Sequence, residues 1–283
     1  MKKFCDLHTH SNYSDGTWTP EQLIREAEAL GLEAVALCDH NTVAGLPEFV
    51  EAGRRSIVEA VPGIEFSTEY RGIELHILGL FIQEQYYEAV NELLSEALEQ
   101  KKQSNVALVE KLKEQGLDVT YEVIEAEAGG TVNRAVIGAY LVRHGCCGSI
   151  EEAFDKWLNL DRGLYVPPKR PDAFEVIRFI KSIDAVAVLA HPLLNLDETQ
   201  LREFLAQAEE LDGMEVYYSK FTEEETELAG KIAVEFGLVK SGGSDFHGAN
   251  KPDIQIGVGK GNLRVPMECF HQLRMRKKPT VLA

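Results

Sequence analysis

Two histidines separated by one residue, His8 and His10, end the first apolar run of the chain. On a β-strand, residues i and i+2 point to the same face, so both imidazoles of this His-Thr-His would converge. Two neutral imidazoles side by side are suited to one metal ion. The pair alone fits two unrelated polar residues equally well, so its meaning depends on the rest of the sequence.

Similar residue types follow several other short apolar runs, and the sequence supplies nine candidate metal ligands: His8, His10, Asp15, His40, Glu65, His76, His191, Asp245 and His247. In barrels with parallel strands, functional side chains collect where the strands end. Nine nitrogen and oxygen donors are too many for one ion and suit two or three. A set of histidines and carboxylates without thiolates favours Mn²⁺, Fe²⁺ or Zn²⁺.

Most of these residues also have an ordinary structural interpretation. His76 lies in an alternating pattern and would fit a half-buried core histidine. Asp15 in Ser-Asp-Gly would fit an Asx-turn, His191 before a proline would fit a strand end, and Glu65 would fit a surface position. Their joint occurrence near strand ends favours the metal-binding interpretation.

Clustered ions of this kind clamp a phosphate and generate a hydroxide at neutral pH, which attacks phosphorus in line. A hydroxide bridging the ions would therefore be the nucleophile, and no side chain is predicted to replace it. Asp6 and Asp39 lie beside candidate ligands in the sequence. We expect them either to orient ligand imidazoles or to act as structural acids of turns.

Alternating strand and helix patterns predict an α/β fold with a largely parallel sheet. Thr19-Pro20 begins a helix, and residues 65–81 alternate around Gly72 as a hairpin would. The pattern changes at residues 83–160, where the long amphipathic helix Glu88–Gln115 is followed by shorter helical patterns. We therefore predict a metal-binding barrel formed by residues 1–82 and 161–283, and a helical insertion at 83–160 that caps the substrate.

Composition limits the class of protein. The chain has 283 residues, is 45% hydrophobic, and contains neither a membrane span nor a signal segment, so a cytoplasmic enzyme is expected. Its net charge of −17 argues against binding long nucleic acids, but bound divalent ions would still admit a small anion. The five cysteines form no CxxC pair. The oligomeric state is left open.

The sequence resembles the PHP (polymerase and histidinol phosphatase) superfamily, and most closely its bacterial branch with a helical insertion. That branch includes 3′,5′-nucleotide bisphosphate phosphatases and a related 5′-to-3′ exoribonuclease. The resemblance rests on six segments: Asp6-Leu-His-Thr-His-Ser11, Ser14-Asp-Gly16, Cys38-Asp-His-Asn-Thr-Val43, Pro62-Gly-Ile-Glu65, Leu189-Ala-His-Pro192 and Gly242-Gly-Ser-Asp-Phe-His-Gly248.

This resemblance implies a distorted (β/α)₇ barrel with a trinuclear metal centre. It also implies how the ligands divide among the ions. The first ion would be held by His8, His10, Glu65 and Asp245. The second would be held by Asp15, His40 and His247, and the third by Glu65, His76 and His191.

The chain departs from the branch in the insertion. Where the branch has an Arg-Pro-His segment near the phosphate, this chain has Val132-Asn-Arg-Ala-Val-Ile137, which keeps only the arginine. The candidate substrate contacts are therefore Arg134, Lys101, Lys169 and Arg170, each of which would also fit a solvated surface residue. For Lys220, the surface interpretation is preferred.

We therefore expect a metal-dependent phosphoesterase that hydrolyses a small phosphomonoester, with a nucleotide such as a 3′,5′-bisphosphate as the leading candidate. A 5′-to-3′ exonuclease acting on short oligonucleotides is the second enzymatic alternative. A metal-bound regulatory module without turnover is the alternative from another class, and the complete ligand set argues against it.

Overall fold

The computed structural model describes residues 3–128 and 132–277 of the chain. These residues form two compact units. The first unit runs to Asn91 and resumes at Pro171, and the second runs from Glu92 to Arg170. No helix within the described residues combines the length and the apolar character that a membrane span requires.

The first unit contains all the strands of the described chain: β1 (Phe4–Thr9), β2 (Ala34–Leu37), β3 (Glu59–Tyr70), β4 (Ile73–Leu80), β5 (Val186–Leu189), β6 (Gly213–Tyr218), β7 (Val239–Gly243) and β8 (Val265–Pro266). The α-helices of the described chain are α1 (Pro20–Ala29), α2 (Leu46–Gly53), α3 (Tyr87–Glu114), α4 (Tyr121–Ala128), α5 (Arg134–Arg143), α6 (Ile150–Ala153), α7 (Ala173–Ser182), α8 (Glu198–Leu205), α9 (Glu223–Glu235) and α10 (Met267–Arg276).

The eight strands form one sheet in the order β7-β6-β5-β4-β3-β2-β1-β8. The ladders β1–β2, β2–β3, β5–β6 and β6–β7 are parallel. Strand β4 is antiparallel to both of its neighbours, and the two-residue β8 is antiparallel to β1. The α/β barrel predicted from the sequence is confirmed, with a short eighth strand that the apolar runs did not indicate.

The hairpin predicted around Gly72 is confirmed. Tyr70 pairs with Ile73, so Arg71 and Gly72 alone form the turn, with φ values of 51° and 80°. Positive φ at both central residues is the geometry of the tight hairpin turn that matches the twist of antiparallel strands. Strand β4 runs back along β3, and the whole of β4 pairs with Gly63–Tyr70 of β3.

The barrel nearly closes because β7 approaches β1 without a side chain between the two backbones. A Cβ atom added at Gly243 would lie 2.3 Å from the Cβ of His8, closer than real Cβ atoms come. Beyond the end of β7, Phe246 and Thr9 form a parallel bridge, and the N–H of His10 donates to the carbonyl of Phe246. Glycine is therefore required where the last parallel strand meets the first.

Helices cover the outside of this sheet, and their sequences explain where they begin. Thr19 caps α1 through a complete capping box with Gln22, as predicted, and Pro20 occupies the first helical turn. Asp197 and Thr222 form the same motif at α8 and α9. The inner core is apolar and includes the fully buried Leu7, Leu78 and Val188 from three strands, among other residues.

The second unit is helical, and its described residues contain no strand, as predicted for 83–160. Its core includes Leu108 and Leu112 of the long helix α3, together with Ile137 and Leu141 of α5. Asn133 caps α5 by accepting from the N–H of Val136 at 2.9 Å. One of the shorter helical patterns begins as α6 and continues as a π-helical turn over Phe154–Leu158.

Candidate metal centre

Glu65 is surrounded by imidazoles. Five histidines place a ring nitrogen within 3.2 Å of one of its carboxylate oxygens: His8, His10, His40, His76 and His191. Oε2 faces three of these rings at 3.1–3.2 Å, and Oε1 faces the other two at 2.8 Å and 3.0 Å. A fully buried carboxylate with donors on both oxygens is suited to bridging two cations.

The remaining candidate ligands extend this cluster on one side. Asp245 Oδ1 lies 3.3 Å from Nε2 of His10, and Asp15 Oδ1 lies 3.2 Å from Nε2 of His247. His40 Nε2 lies 3.8 Å from Asp15 Oδ2. Three sets of ligand atoms lie within 4.8 Å of one another: His10, Asp15, His40 and His247; His8, His10, Glu65 and Asp245; and His40, Glu65 and His76.

The strands explain why these side chains meet. His8 lies near the end of β1, and His10 comes directly after that strand. His40 follows β2. Glu65 and His76 reach the same face from the middle of the hairpin, since Ser67 pairs with His76 and Glu65 lies two residues from Ser67. His76 therefore joins the cluster from an antiparallel strand, not from the carboxyl end of a parallel one.

Two of the candidate ligands have an unusual backbone conformation. His191 and Asp245 have φ values of 29° and 57°, in the region that favours glycine. Each is within two residues of the end of its strand, β5 or β7. Strained conformations of this kind are retained where the surrounding structure and a function require them.

The unsatisfied polar atoms of the cluster indicate that its donor set fits divalent cations. Nδ1 of His10 is buried without a hydrogen-bond partner among the described residues, and buried Oε2 of Glu65 lies near three ring nitrogens of which none makes a well-directed hydrogen bond to it. Buried polar atoms are almost always satisfied, so two such atoms inside one cluster of imidazoles and carboxylates indicate an ion site. The chemistry of the donors, hard oxygens with borderline nitrogens, suits Mn²⁺, Fe²⁺ or Zn²⁺.

The protonation equilibria of the cluster agree with this. Burial alone would raise the pKa of Glu65, but the neighbouring imidazoles of His40, His8 and His76 hold that pKa well below its usual range. Burial opposes protonation of His10 and His76, yet the adjacent carboxylates raise their pKa to about 9 and about 10. Protons on His10 and His76 would thus balance the carboxylate charge, a role that a divalent cation would take over, whereas burial lowers the pKa of His40 to about 3 and leaves its ring neutral.

Glu215 on β6 supports the cluster, although the sequence did not single it out. Its Oε1 accepts a hydrogen bond from Nδ1 of His8 at 2.9 Å, and its Oε2 accepts one from the backbone N–H of His191 at 2.7 Å. A carboxylate that accepts a hydrogen bond from Nδ1–H fixes the proton on that nitrogen and leaves Nε2 of the same ring free to bind a metal. The signal available in the sequence was a carboxylate inside the apolar run Met214–Tyr218.

Asp6 and Asp39 accept hydrogen bonds from loop residues near the candidate ligands. Asp39 accepts hydrogen bonds from the N–H and hydroxyl of Ser11 and from the hydroxyl of Ser14, at 2.6–2.7 Å. Asp6 is fully buried and accepts from the N–H groups of Ser244 and Gly257 at 2.9 Å and 2.7 Å. Both acids therefore order the backbone that presents the candidate ligands.

The other carboxylate oxygen of Asp245 is hydrogen-bonded to two residues that were not among the predicted site residues. Oδ2 accepts from the hydroxyl of Tyr218 at 2.8 Å and from Nζ of Lys251 at 2.7 Å. These two bonds turn Oδ1 towards His10. Tyr218 ends β6, and Lys251 follows the motif that contains Asp245.

The four predicted substrate contacts all belong to the second unit: Lys101, Arg134, Lys169 and Arg170. The guanidinium of Arg134 lies 4.4 Å from the centre of the Tyr165 ring and donates to the carbonyl of Leu158 at 3.2 Å. Lys169 is exposed. A role in binding substrate stays a prediction for all four residues.

Comparison with known proteins adds to this geometry. The family model of the PHP domain matches residues 6–166. A 5′-3′ exoribonuclease of Haemophilus influenzae is 33% identical over 250 residues, covering 87% of this chain and 91% of that protein. A 3′,5′-nucleoside bisphosphate phosphatase of Chromobacterium violaceum is 25% identical over 264 residues, covering 89% of this chain and 90% of that protein.

A solved structure is also similar over the whole length. It is described as a metal-dependent phosphoesterase from Bifidobacterium adolescentis, and it superposes with a TM-score of 0.84 at 27% identity. The match covers 99% of this chain and 98% of that one. The relatives named here cleave phosphate esters in different molecules, so the comparisons define the reaction type more closely than the substrate.

Proposed function

This chain belongs to the PHP domain family and is a metal-dependent phosphoester hydrolase, and we propose that its barrel binds two to three divalent transition-metal ions through nine residues. The proposed ligands are His8, His10, Asp15, His40, Glu65, His76, His191, Asp245 and His247. The observation that supports this most directly is Glu65, whose two oxygens each face at least two imidazoles.

Bound ions of this class polarise a phosphoryl oxygen and make water nucleophilic at neutral pH. The protein's own residues hold the donors in place. Glu215 fixes the ring of His8, and Tyr218 and Lys251 fix the carboxylate of Asp245. Full burial of His8, His10 and Glu65 keeps their donor atoms away from bulk water, which strengthens their electrostatic interactions.

The proposed substrate is a nucleotide phosphate ester. Hydrolysis of a nucleoside 3′,5′-bisphosphate was the leading expectation from the sequence, and a relative with that activity supports it at 25% identity. Removal of nucleotides from the 5′ end of a short RNA is the second candidate. The identity of 33% to an exoribonuclease over most of both chains favours this second candidate more strongly.

A substrate panel separates the two candidates. Purified protein reconstituted with Mn²⁺ would be given adenosine 3′,5′-bisphosphate and, separately, 5′-phosphorylated dinucleotides and trinucleotides of RNA. Release of mononucleotides from the oligonucleotides at a higher kcat/KM than phosphate release from the bisphosphate supports the exonuclease. Activity on the bisphosphate alone supports the phosphatase, and no turnover of either contradicts a nucleotide substrate.

A further inference from the structure

Three lysines lie in the loops that follow β6 and β7, and one of them contacts the candidate metal centre. Lys251 donates to Asp245 Oδ2 at 2.7 Å, and its side chain remains 30% exposed. An ammonium group has three N–H donors, so this one can bind Asp245 and a solvent-side anion at once. Lys220 follows β6 by two residues, and Lys260 lies between Gly259 and Gly261.

Backbone contacts bring the loops of Lys220 and Lys260 together. The hydroxyl of Ser219 donates to the carbonyl of Ser244 at 2.6 Å, which holds the loop after β6 against the end of β7. Gly259 packs on the same residue, because a Cβ atom added there would lie only 2.8 Å from the Cβ of Ser219. Lys220 follows Ser219 and Lys260 follows Gly259, so each lysine is next in sequence to one partner of this close contact.

The electrostatics agree with this placement. Partial burial lowers the pKa of Lys220, and the positive charges of Lys251 and Lys260 lower it further, against the opposing effect of Asp245. Within the described chain, neither Lys220 nor Lys260 forms an ion pair. Cations gathered without carboxylate partners repel one another, and an anion bound between them would remove that repulsion.

We propose that Lys220, Lys251 and Lys260 form a second anion site, here called the lysine rim, which binds the non-scissile phosphate of a nucleotide. This inference rests on the proposed nucleotide substrate. It assigns a binding role to Lys220, for which the sequence favoured an ordinary surface position. The lysine rim lies in the first unit, apart in sequence from the two arginines and two lysines of the second unit that are predicted to contact substrate phosphate.

The chemistry is that of the 5′-phosphate on the nucleoside whose 3′ ester is hydrolysed. The 5′-phosphate of a 3′,5′-bisphosphate and the 5′-terminal phosphate of a short RNA both present such a group, because release of a mononucleotide cleaves the ester at the 3′ oxygen. Ammonium–phosphate hydrogen bonds are charge-assisted and stronger than neutral ones. A substrate that carries the second phosphate would therefore bind more tightly than the corresponding monophosphate.

The test measures binding by inhibition, so that it does not depend on nucleotide turnover. Inhibition constants against hydrolysis of 4-nitrophenyl phosphate would be determined for 3′-AMP and adenosine 3′,5′-bisphosphate, and for the dinucleotides ApA and pApA. The full-length, Mn²⁺-loaded protein would be compared with the double variant Lys220→Ala/Lys260→Ala. Lys251 is left unchanged because it contacts a proposed metal ligand.

In the unmodified protein, the 5′-phosphate is expected to lower the inhibition constant at least tenfold, for the bisphosphate relative to 3′-AMP and for pApA relative to ApA. The double variant should lose most of this gain. A gain for the bisphosphate alone identifies a mononucleotide as the ligand, and a gain for pApA identifies the 5′ end of a short RNA. The control Lys231→Ala removes an exposed lysine of α9, paired with Glu227 at 3.5 Å, and should keep the full gain.

Two results would overturn the lysine rim: no gain from the second phosphate in the unmodified protein, or an undiminished gain in the double variant. Failure of the proposed function is distinguishable from either. In that case the nucleotides would inhibit but release neither phosphate nor mononucleotide, and the inhibition constants would still report on the rim.

Discussion

Glu215 Oε1 lies 2.9 Å from Nδ1 of His8, and both side chains are fully buried. The other oxygen of the same carboxylate accepts from the N–H of His191, so a single residue of β6 orients one ligand within β1 and another that follows β5. Neither contact involves a residue close to Glu215 in the sequence. The candidate metal centre therefore depends on a residue that is not itself a proposed ligand.

Glu215→Gln is expected to weaken metal binding by roughly 10- to 100-fold, the usual effect of losing such a support. The amide can accept through only one of its two terminal atoms, so either His8 or the N–H of His191 loses its acceptor. Competition with a chelator measures the affinity. Glu227→Gln, on the exposed face of α9, is the matched control and should bind metal normally. Unchanged affinity in Glu215→Gln would contradict the orienting role.

Removing the metal should lower the thermal stability of the protein. A ligand present at 100 times its dissociation constant stabilises the folded state by about 2.7 kcal/mol. For a protein of this size, that corresponds to a melting temperature lower by roughly 5 °C after chelation. Calorimetry before and after chelation, with elemental analysis of the same samples, provides the measurement. Re-addition of Mn²⁺ should restore the melting temperature, and its failure to bind would exclude the proposed centre.

His10→Ala and Asp245→Ala should each reduce kcat by roughly a thousandfold or more, because each removes a donor from the proposed centre. His10 belongs to two of the three ligand sets, so its loss should also release more metal than the loss of Asp245, which belongs to one. Circular dichroism would verify that the fold is kept. A variant with near-normal activity in excess metal would show that its residue lies outside the centre.

Arg134→Ala tests the predicted contact with substrate phosphate. We expect KM for the best substrate to rise several-fold while the metal content stays constant, since a guanidinium matches phosphate oxygens. The observed packing of Arg134 on Tyr165 provides a second measurable role, because its loss would lower the melting temperature. A stable variant with raised KM supports the phosphate contact, and an unstable variant with unchanged KM assigns Arg134 to packing alone.

Excision of residues 92–170 tests whether the helical unit selects the substrate. The cut follows the boundary of the compact units and keeps the start of α3 with the barrel. A folded product should bind metal and hydrolyse 4-nitrophenyl phosphate slowly, but lose its discrimination among nucleobases. The preference for a second phosphate should persist, because the lysine rim stays. Retained nucleobase selectivity would transfer that function to the barrel loops, and solubility of the product must be established first.

Much of the fold could be predicted because local patterns and the structure agree. The hairpin from Glu65 to Leu80, the start of α1 at Thr19 and the long helix α3 each follow from periodicity, caps and turn residues. Candidate ligands could be recognised because His and Asp after apolar runs are uncommon in combination. None of these signals requires knowledge of distant contacts.

The rest depended on contacts between distant parts of the chain. In the sequence, Glu215 is a single charged residue within an apolar run, and its hydrogen-bond partner His8 lies 207 residues away. The sequence around Lys251 is typical of a surface lysine, and only the structure shows its contact with Asp245. The direction of β4 could be inferred from the hairpin, but its pairing with β5 joins strands separated by the whole helical unit. Local sequence does not encode such pairings.

During synthesis, the metal centre can be complete only after β7 has been made and has joined β1. Asp6 bonds to Ser244 and Gly257, which are 238 and 251 positions away. A nascent chain of 200 residues already contains seven of the nine proposed ligands, yet it lacks Glu215, Asp245 and His247. Contacts of such long range form late, because they close the largest loops in the chain. Acquisition of metal would therefore be among the last events of biogenesis and would mark a finished barrel.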